Sequence, residues 1–264
     1  MELHDKVAVV TGGASGIGRA LCRRFASEGA RAVVVVDLDG DGAAAVAAEI
    51  GGVGVRCDVA SEAEVAALVE DVERAHGPID LFCSNAAVFT GAGPLNTPTE
   101  VWHRQWEVNV LAHVHAVRAV LPGMLARGEG YLLHTASLAG LLTSHGNLPY
   151  AVTKHAVVGL AEWLSVTYGH RGIRVSCLCP SGVNTPMLAS TSLAASPTLV
   201  GDVREPEEVA EIVVAALAEE RFLILTDPQA EEWLARKAAD QERWLRGMRR
   251  VQESLERDHA PGRG

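Results

Sequence analysis

Positive charge is in short supply in this chain. Against 33 Asp and Glu it carries 23 Lys and Arg, an excess of 10 negative charges, so no polyanion-binding face is expected and nucleic acid is a poor candidate partner. Cysteine is sparse as well. Cys22, Cys57, Cys83, Cys177 and Cys179 make an odd number, lie mostly in apolar runs and match no zinc spacing. They read as buried reduced thiols, not as a disulfide framework, and no metal is expected. No apolar run approaches the roughly 20 residues that cross a bilayer. The charged start, Met1 to Lys6, has no secretory leader pattern, so the expectation is a cytoplasmic protein without a membrane partner. Internal repeats and low-complexity linkers are missing too.

What is present is an ordinary globular composition: 264 residues, 48% hydrophobic and 21% charged. That is enough to bury a sizeable core, and α/β folds of about 250 residues often form one domain. Short, nearly continuous apolar runs recur at Val7 to Val10, Ala32 to Val36, Val53 to Cys57, Ile79 to Cys83, Tyr131 to His134, Val175 to Leu178 and Phe222 to Leu225. Such runs read as strands buried on both faces, and the segments between them are long enough for crossover helices. The expectation is an α/β, doubly wound, seven-stranded parallel sheet flanked by helices. Ser61-Glu62-Ala63-Glu64 reads as a capping box, with Ser61 accepting from the first turn and Glu64 reaching back. The stretch from Ser181 to Arg204 is too long for a routine connection and suggests a lid. Beyond residue 226, Gln229 to Arg257 carries Leu234, Ala238, Leu245, Met248 and Leu255 at helical spacing. This predicts one extra amphipathic helix that docks on its own subunit or a neighbour.

Two constellations carry chemistry. The first run ends in Thr11-Gly12-Gly13-Ala14-Ser15-Gly16-Ile17-Gly18 and leads into a helix. A glycine-rich strand-to-helix turn brings backbone N–H groups and the positive end of the helix dipole to a pyrophosphate. Asp37 closes the second run, where a carboxylate can accept from an adenosine ribose and would repel a 2′-phosphate, which favours NAD over NADP. The second constellation is Ser137, Tyr150 and Lys154. Tyr150 and Lys154 are an i,i+4 pair, so the ammonium is expected to lower the phenol pKa from about 10 toward working pH.

Taken together, Thr-Gly-x-x-x-Gly-x-Gly, Asp37, Asn109, Ser137, Tyr150 and Lys154 resemble the short-chain dehydrogenase/reductase family over about residues 5 to 226. The resemblance implies a single Rossmann domain over 1–226, with 227–264 as a helical extension, and the catalytic tetrad Asn109, Ser137, Tyr150 and Lys154. Asn109 would hold a water through which the proton leaves. Cofactor contacts would come from Gly12, Ser15, Gly16, Ile17, Gly18, Asp37, Asp58, Val59, Asn85, Tyr150, Lys154, Val183 and Thr185. Three departures stand out: Ser84-Asn85-Ala86-Ala87 where Asn-Asn-Ala-Gly is usual, Pro180-Ser181-Gly182 in place of Pro-Gly, and a charged helix where many members end in glycine-rich sequence.

The implied reaction interconverts a secondary alcohol and its ketone, with Tyr150 as acid or base. The substrate-facing residues expected are Ser137, Leu141, His145 and Met187, with Val88, Phe89, Leu142, Leu188 and Leu193 nearby. They are mostly apolar and without Arg or Lys, which suits a small hydrophobic alcohol or ketone. A carrier-bound 3-oxoacyl thioester reductase and a non-catalytic nucleotide-binding sensor are the alternatives. The family commonly assembles through the helices that carry Asn109 and Tyr150, so a homodimer or homotetramer is expected.

Overall fold

Valine-rich segments set the layout. In a computed structural model that describes residues 1–190 and 202–258, β1 (Val7–Thr11), β2 (Ala32–Asp37), β3 (Val53–Arg56), β4 (Leu81–Ser84), β5 (Gly130–Thr135), β6 (Ile173–Cys179) and β7 (Leu223–Leu225) form one sheet. Every neighbouring pair is parallel, in the order β3-β2-β1-β4-β5-β6-β7. The chain reverses its winding between β1 and β4. At such a switch point the loops beyond the strands' carboxyl ends part and leave a crevice.

The strands are buried on both faces because helices cover both. α1 (Gly16–Ser27), α2 (Gly40–Ile50) and a helix at Pro206–Ala218 lie on one side; α3 (Glu62–His76), α5 (Ala112–Arg127) and α7 (Leu148–Tyr168) lie on the other. Alternation along a strand divides the core accordingly. Val7 and Val9 of β1 pack into the α3/α5/α7 layer, whereas Ala8 and Val10 pack into the α1/α2 layer. Between α3 and α5 runs α4 (Thr99–Trp106), joined to α5 by a π-helical turn at Glu107–Leu111. The stretch Thr99–Arg127 is long and apolar enough to span a bilayer, but 61% of its apolar window is buried within the fold, as befits a core helix. The five cysteines are free and buried.

Local detail departs from the sequence reading in two places. Ser61 does cap α3, accepting from Glu64 N at 3.3 Å. Glu64 does not close the box: the Ser61 N–H is already donated to Asp58 O at 2.9 Å, and Glu64 Oε2 accepts from Asp58 N instead. The C-terminal segment is two helices, not one. α6 (Ala139–Leu142) and α8 (Pro186–Ala189) are short, α9 is the helix Pro206–Ala218, and the tail is α10 (Ala230–Ala239) followed by α11 (Gln241–Asp258). Asp240 breaks the run with φ −154° and ψ 90°, and its Oδ1 accepts from Arg243 N at 2.8 Å, starting α11 as an N-cap. Of the expected lid, the described part holds α8 and a bridge between Val183 and Arg204. Leu193 and the rest of 191–201 lie outside the described residues.

Candidate active site

The turn after β1 is held from three directions. The Thr11 hydroxyl accepts from Asn85 N at 2.9 Å and Ala86 N at 3.1 Å and donates to Cys83 O, while Asn85 Nδ2 donates to Thr11 O at 3.0 Å. β1 and β4 are thus stapled where they diverge. A Cβ on Gly18 would sit 2.0 Å from Gly12 O, so only glycine lets α1 start this close to the turn. Ser15 occupies the N-cap of α1 without a side-chain hydrogen bond, and no acidic residue lies in the first turn. The end of α1 therefore offers free N–H groups and a positive dipole end.

Asp37 reaches this turn from the end of β2. Its Oδ2 accepts from Ala14 N at 3.0 Å and its Oδ1 from Asp39 N at 3.1 Å. Arg56 aligns with it across β3 and lies 3.7 Å from Glu64. Asp58 accepts from Ala60 N at 3.0 Å, and Val59 beside it is buried. Thr185 caps α8, accepting from Leu188 N, and donates to Val183 O at 3.2 Å. Its methyl stands 3.0 Å from where a Cβ on Gly16 would be, so the segment after β6 closes onto the glycine turn.

Ser137, Tyr150, Lys154 and Asn109 come together beyond the ends of β4 and β5. Asn147 caps α7 by accepting from Tyr150 N at 3.0 Å, and Ser137, whose Oγ accepts from Ala139 N at 3.1 Å, stands on the same cavity wall as Tyr150. The Phe89 ring packs on Tyr150 with centroids 4.7 Å apart. Lys154 is 1% exposed, donates from Nζ to Thr135 O at 2.9 Å, and lies 5.6 Å from the Tyr150 ring centroid. Its spacing from Tyr150 suggested a lowered phenol pKa, but the protein's own field acts the other way. Burial pushes Tyr150 up to about 12, with the Ser137 hydroxyl opposing, and burial also brings Lys154 down to about 8. Desolvation of the charged form is the largest cause of each shift.

Asn109 sits in the π-turn, fully buried. Its Oδ1 accepts from Val88 N at 2.8 Å, and its Nδ2 donates to Val88 O at 2.9 Å, with Gln105 Oε1 and Thr153 Oγ1 each at 3.2 Å. The amide is fully engaged with protein atoms. The side chain clamps the loop that follows β4.

Of these groups Ser137 and Tyr150 line a cavity of about 920 Å³, while Lys154 and Asn109 lie buried behind it. Ser137, Tyr150, Phe89, Leu142, His145, Val183, Thr185, Met187 and Leu188 line it, as does Ile17 from the glycine turn. Leu141 and Val88 do not: both pack into the α3/α5/α7 layer. A further wall comes from the C-terminal segment, which the sequence docks on its own subunit or a neighbour without assigning it cavity residues. Trp233, Arg236, Ala239, Asp240, Arg243, Trp244, Gly247, Met248, Arg250 and Val251 of α10 and α11 line the same cavity. The expectation of a wall without Arg or Lys is thereby corrected. The tail is tied down where His145 Nδ1 meets Gln252 Oε1 at 2.8 Å. Arginines at i,i+7 were the only available signal, and on an amphipathic helix they read as a solvated face.

A family model described as short chain dehydrogenase matches residues 6–195. A 1-deoxy-11-beta-hydroxypentalenate dehydrogenase of Streptomyces exfoliatus is 39% identical over 239 residues, which is 87% of this chain and 86% of that one. Among solved structures, a short chain dehydrogenase/reductase from Burkholderia phymatum in complex with NAD superposes with TM-score 0.84 at 32% identity, covering 92% of this chain and 96% of the other. A 3-ketoacyl-(acyl-carrier-protein) reductase from Brucella melitensis complexed with NADH gives 0.79 at 29% identity, covering 85% and 98%. With fold, motif spacing and full-length similarity in agreement, the chain belongs to the short chain dehydrogenase family of oxidoreductases.

Proposed function

We propose that the protein interconverts a hydrophobic secondary alcohol and its ketone with NAD, using Tyr150 as the proton-carrying group. The carrying observation is that Tyr150 and Ser137 share the wall of a cavity whose other edge is the uncapped start of α1. A dinucleotide fits the residues present. Free N–H groups at Gly16 to Gly18 suit a pyrophosphate, Asp37 keeps lone pairs for ribose hydroxyls, and the buried Lys154 ammonium has hydrogens beyond the one given to Thr135 O. Asp58, Val59 and Asn85 would border the adenosine side; Val183 and Thr185 would hold the carboxamide. Asp37 beside a 2′-phosphate would be a like-charge contact, hence NAD over NADP.

When bound, the nicotinamide takes up or gives the hydride. The protein's residues handle the oxygen and its proton. With its pKa pushed up to about 12, Tyr150 is a phenol at neutral pH and gives its proton to the carbonyl oxygen during reduction. In oxidation the alcohol proton passes to the Tyr150 phenolate. Ser137 bonds the same oxygen, and Lys154 beneath the ring favours the anion. Asn109 acts by position, holding the Val88–Phe89 segment against Tyr150.

The named pentalenate relative supports the coarse class, a hydroxyl oxidised to a carbonyl. A reductase of carrier-bound thioesters gains less support, because an acidic carrier would meet a protein with an excess of 10 negative charges and an α11 of five Arg against four acids. Trp163 and Val166 of α7 are 58% and 84% exposed, and Trp106 and Leu111 flank the π-turn. These faces favour assembly through the helices around Asn109 and Tyr150. The test is Tyr150→Phe. Turnover should fall by ~10²-fold or more with NAD binding retained; near-normal turnover of secondary alcohols would refute the assignment.

A further inference from the structure

We propose that the substrate carries a carboxylate remote from its reacting carbon, received by Arg243 and Arg250 on the wall that α11 gives to the cavity. The proposal rests on the oxidoreductase reading above and narrows its substrate to hydrophobic hydroxy acids and the corresponding keto acids.

Three observations lead there. Arg243 and Arg250 are two helical turns apart and so share a face, the one that lines the cavity. Gly247 lies between them on that face. A Cβ there would stand 3.9 Å from Arg250 Nη2, so the guanidinium lies close to a position without a side chain. Second, charge around the cavity is one-sided in a protein of net charge −10. Among the described residues its only lining acid is Asp240, already engaged as the cap of α11. Arg236 is matched by Glu232 at 2.5 Å. Elsewhere arginines such as Arg23 and Arg174 are matched by glutamates, while Arg246 and Arg249 of α11 are unmatched among the described residues but do not line the cavity. Arg243 and Arg250 have no ion pair among the described residues, and a guanidinium fork is suited to a planar carboxylate.

Third, the same stretch of wall holds polar atoms that are buried and without a partner: Trp244 Nε1, Ser144 Oγ and His145 Nε2. Gln252 Nε2 donates to Glu256, which turns Gln252 Oε1 toward His145, so His145 Nδ1 is the donor in that contact and Nε2 of the neutral ring an acceptor, which leaves Trp244 Nε1 and Ser144 Oγ as the groups able to donate. Buried polar atoms are normally satisfied, and a cluster of unsatisfied ones facing a cavity marks where a ligand's polar group belongs. An indole N–H and a hydroxyl in the lining of a cavity that also carries Arg243 and Arg250 ask for an acceptor with negative charge. Phe89, Leu142, Met187 and Leu188 on the remaining wall suit an apolar body.

The probes are a hydroxydecalin carboxylate, its methyl ester and the parent decalol, with the unreactive decalin carboxylate and its ester for binding. Wild-type kcat/KM should favour the acid over the ester by ~10-fold or more, since a hydrogen bond to a charged group is typically worth that much. Arg243→Gln with Arg250→Gln should abolish the preference, raising KM for the acid by ~10-fold more than KM for the ester; Lys at both positions should restore part of it. Calorimetric titration with the unreactive pair separates recognition from chemistry. Acid binding that the double variant loses, in a wild type that turns over none of the alcohols, would uphold the carboxylate site and refute the oxidoreductase reading. Equal wild-type affinity for acid and ester, or an equal loss of both in the variant, would overturn the proposal.

Discussion

Removing the Asn109 side chain should unseat the loop that carries Phe89 without touching any group proposed to meet substrate. In Asn109→Ala, Val88 N and Val88 O both lose their partners, and Gln105 Oε1 and Thr153 Oγ1 lose a shared donor. An orphaned buried polar group costs about 1–3 kcal/mol. Val88 is only partly buried, so water recovers some of this for the backbone pair, and the sum is about 2–4 kcal/mol. That is a large share of the roughly 5–15 kcal/mol that holds a domain folded. Urea unfolding followed by tryptophan fluorescence reads it directly. Kinetics supply the second half: Phe89 packs on Tyr150 at 4.7 Å, so kcat/KM should fall together with stability. A loss below about 1 kcal/mol would show that the clamp is not what Asn109 contributes. A full kinetic defect with wild-type stability would instead favour a direct part in proton transfer.

Asp37→Ser should shift the ratio of NAD to NADP efficiency toward NADP by ~10-fold or more, because a like-charge contact is removed; steady-state kinetics with both cofactors reads it, and an unchanged ratio contradicts the ribose role. Alcohol oxidation should rise with pH across the alkaline range, because Tyr150 titrates near 12 and only its phenolate accepts a proton, while ketone reduction, which needs the phenol, should not rise. An oxidation profile that peaks below pH 7 would contradict this. Truncation after Thr226 removes the cavity wall and uncovers the core around Ala230, which is 1% exposed. At about 25 cal/mol per Å² of apolar surface the loss is several kcal/mol, and the melting temperature should drop by ~5–10 °C. Unchanged melting and unchanged KM for hydrophobic alcohols would refute the docking of the tail.

Much of the framework was legible in the residues because its signals are local. β2 reads as a two-sided strand since Ala32 to Val36 offers nothing polar to either face, and Gly12 to Gly18 can hardly be anything but a close turn. What escaped needed the third dimension. Asp240 looks like one more charge on a solvated helix until its carboxylate is seen to start α11. Arg243 and Arg250 look like a polar face until α10 and α11 fold back over Met187 and Phe89. Leu141 and Leu142 are neighbours in sequence, and only the orientation of the short α6 decides that Leu142 faces the cavity while Leu141 enters the core. Tyr150 and Lys154 were correctly paired by spacing, but spacing carries no information about desolvation, which reversed the sign of the Tyr150 shift.

The division of the core by the sheet has a mechanical consequence. Tyr150, Lys154 and Asn109 hang from the α3/α5/α7 layer, whereas the glycine turn belongs to α1 on the opposite layer, and no core side chain is shared between the two. The sheet acts as a bulkhead. A void opened beneath Val157 would be felt by α7 and its tyrosine, and the backbone ladder would keep that disturbance from α1. The converse holds for a void beneath Leu21 or Phe25. Damage to one half of the site need not spread to the other, so each half can accumulate substitutions at its own pace.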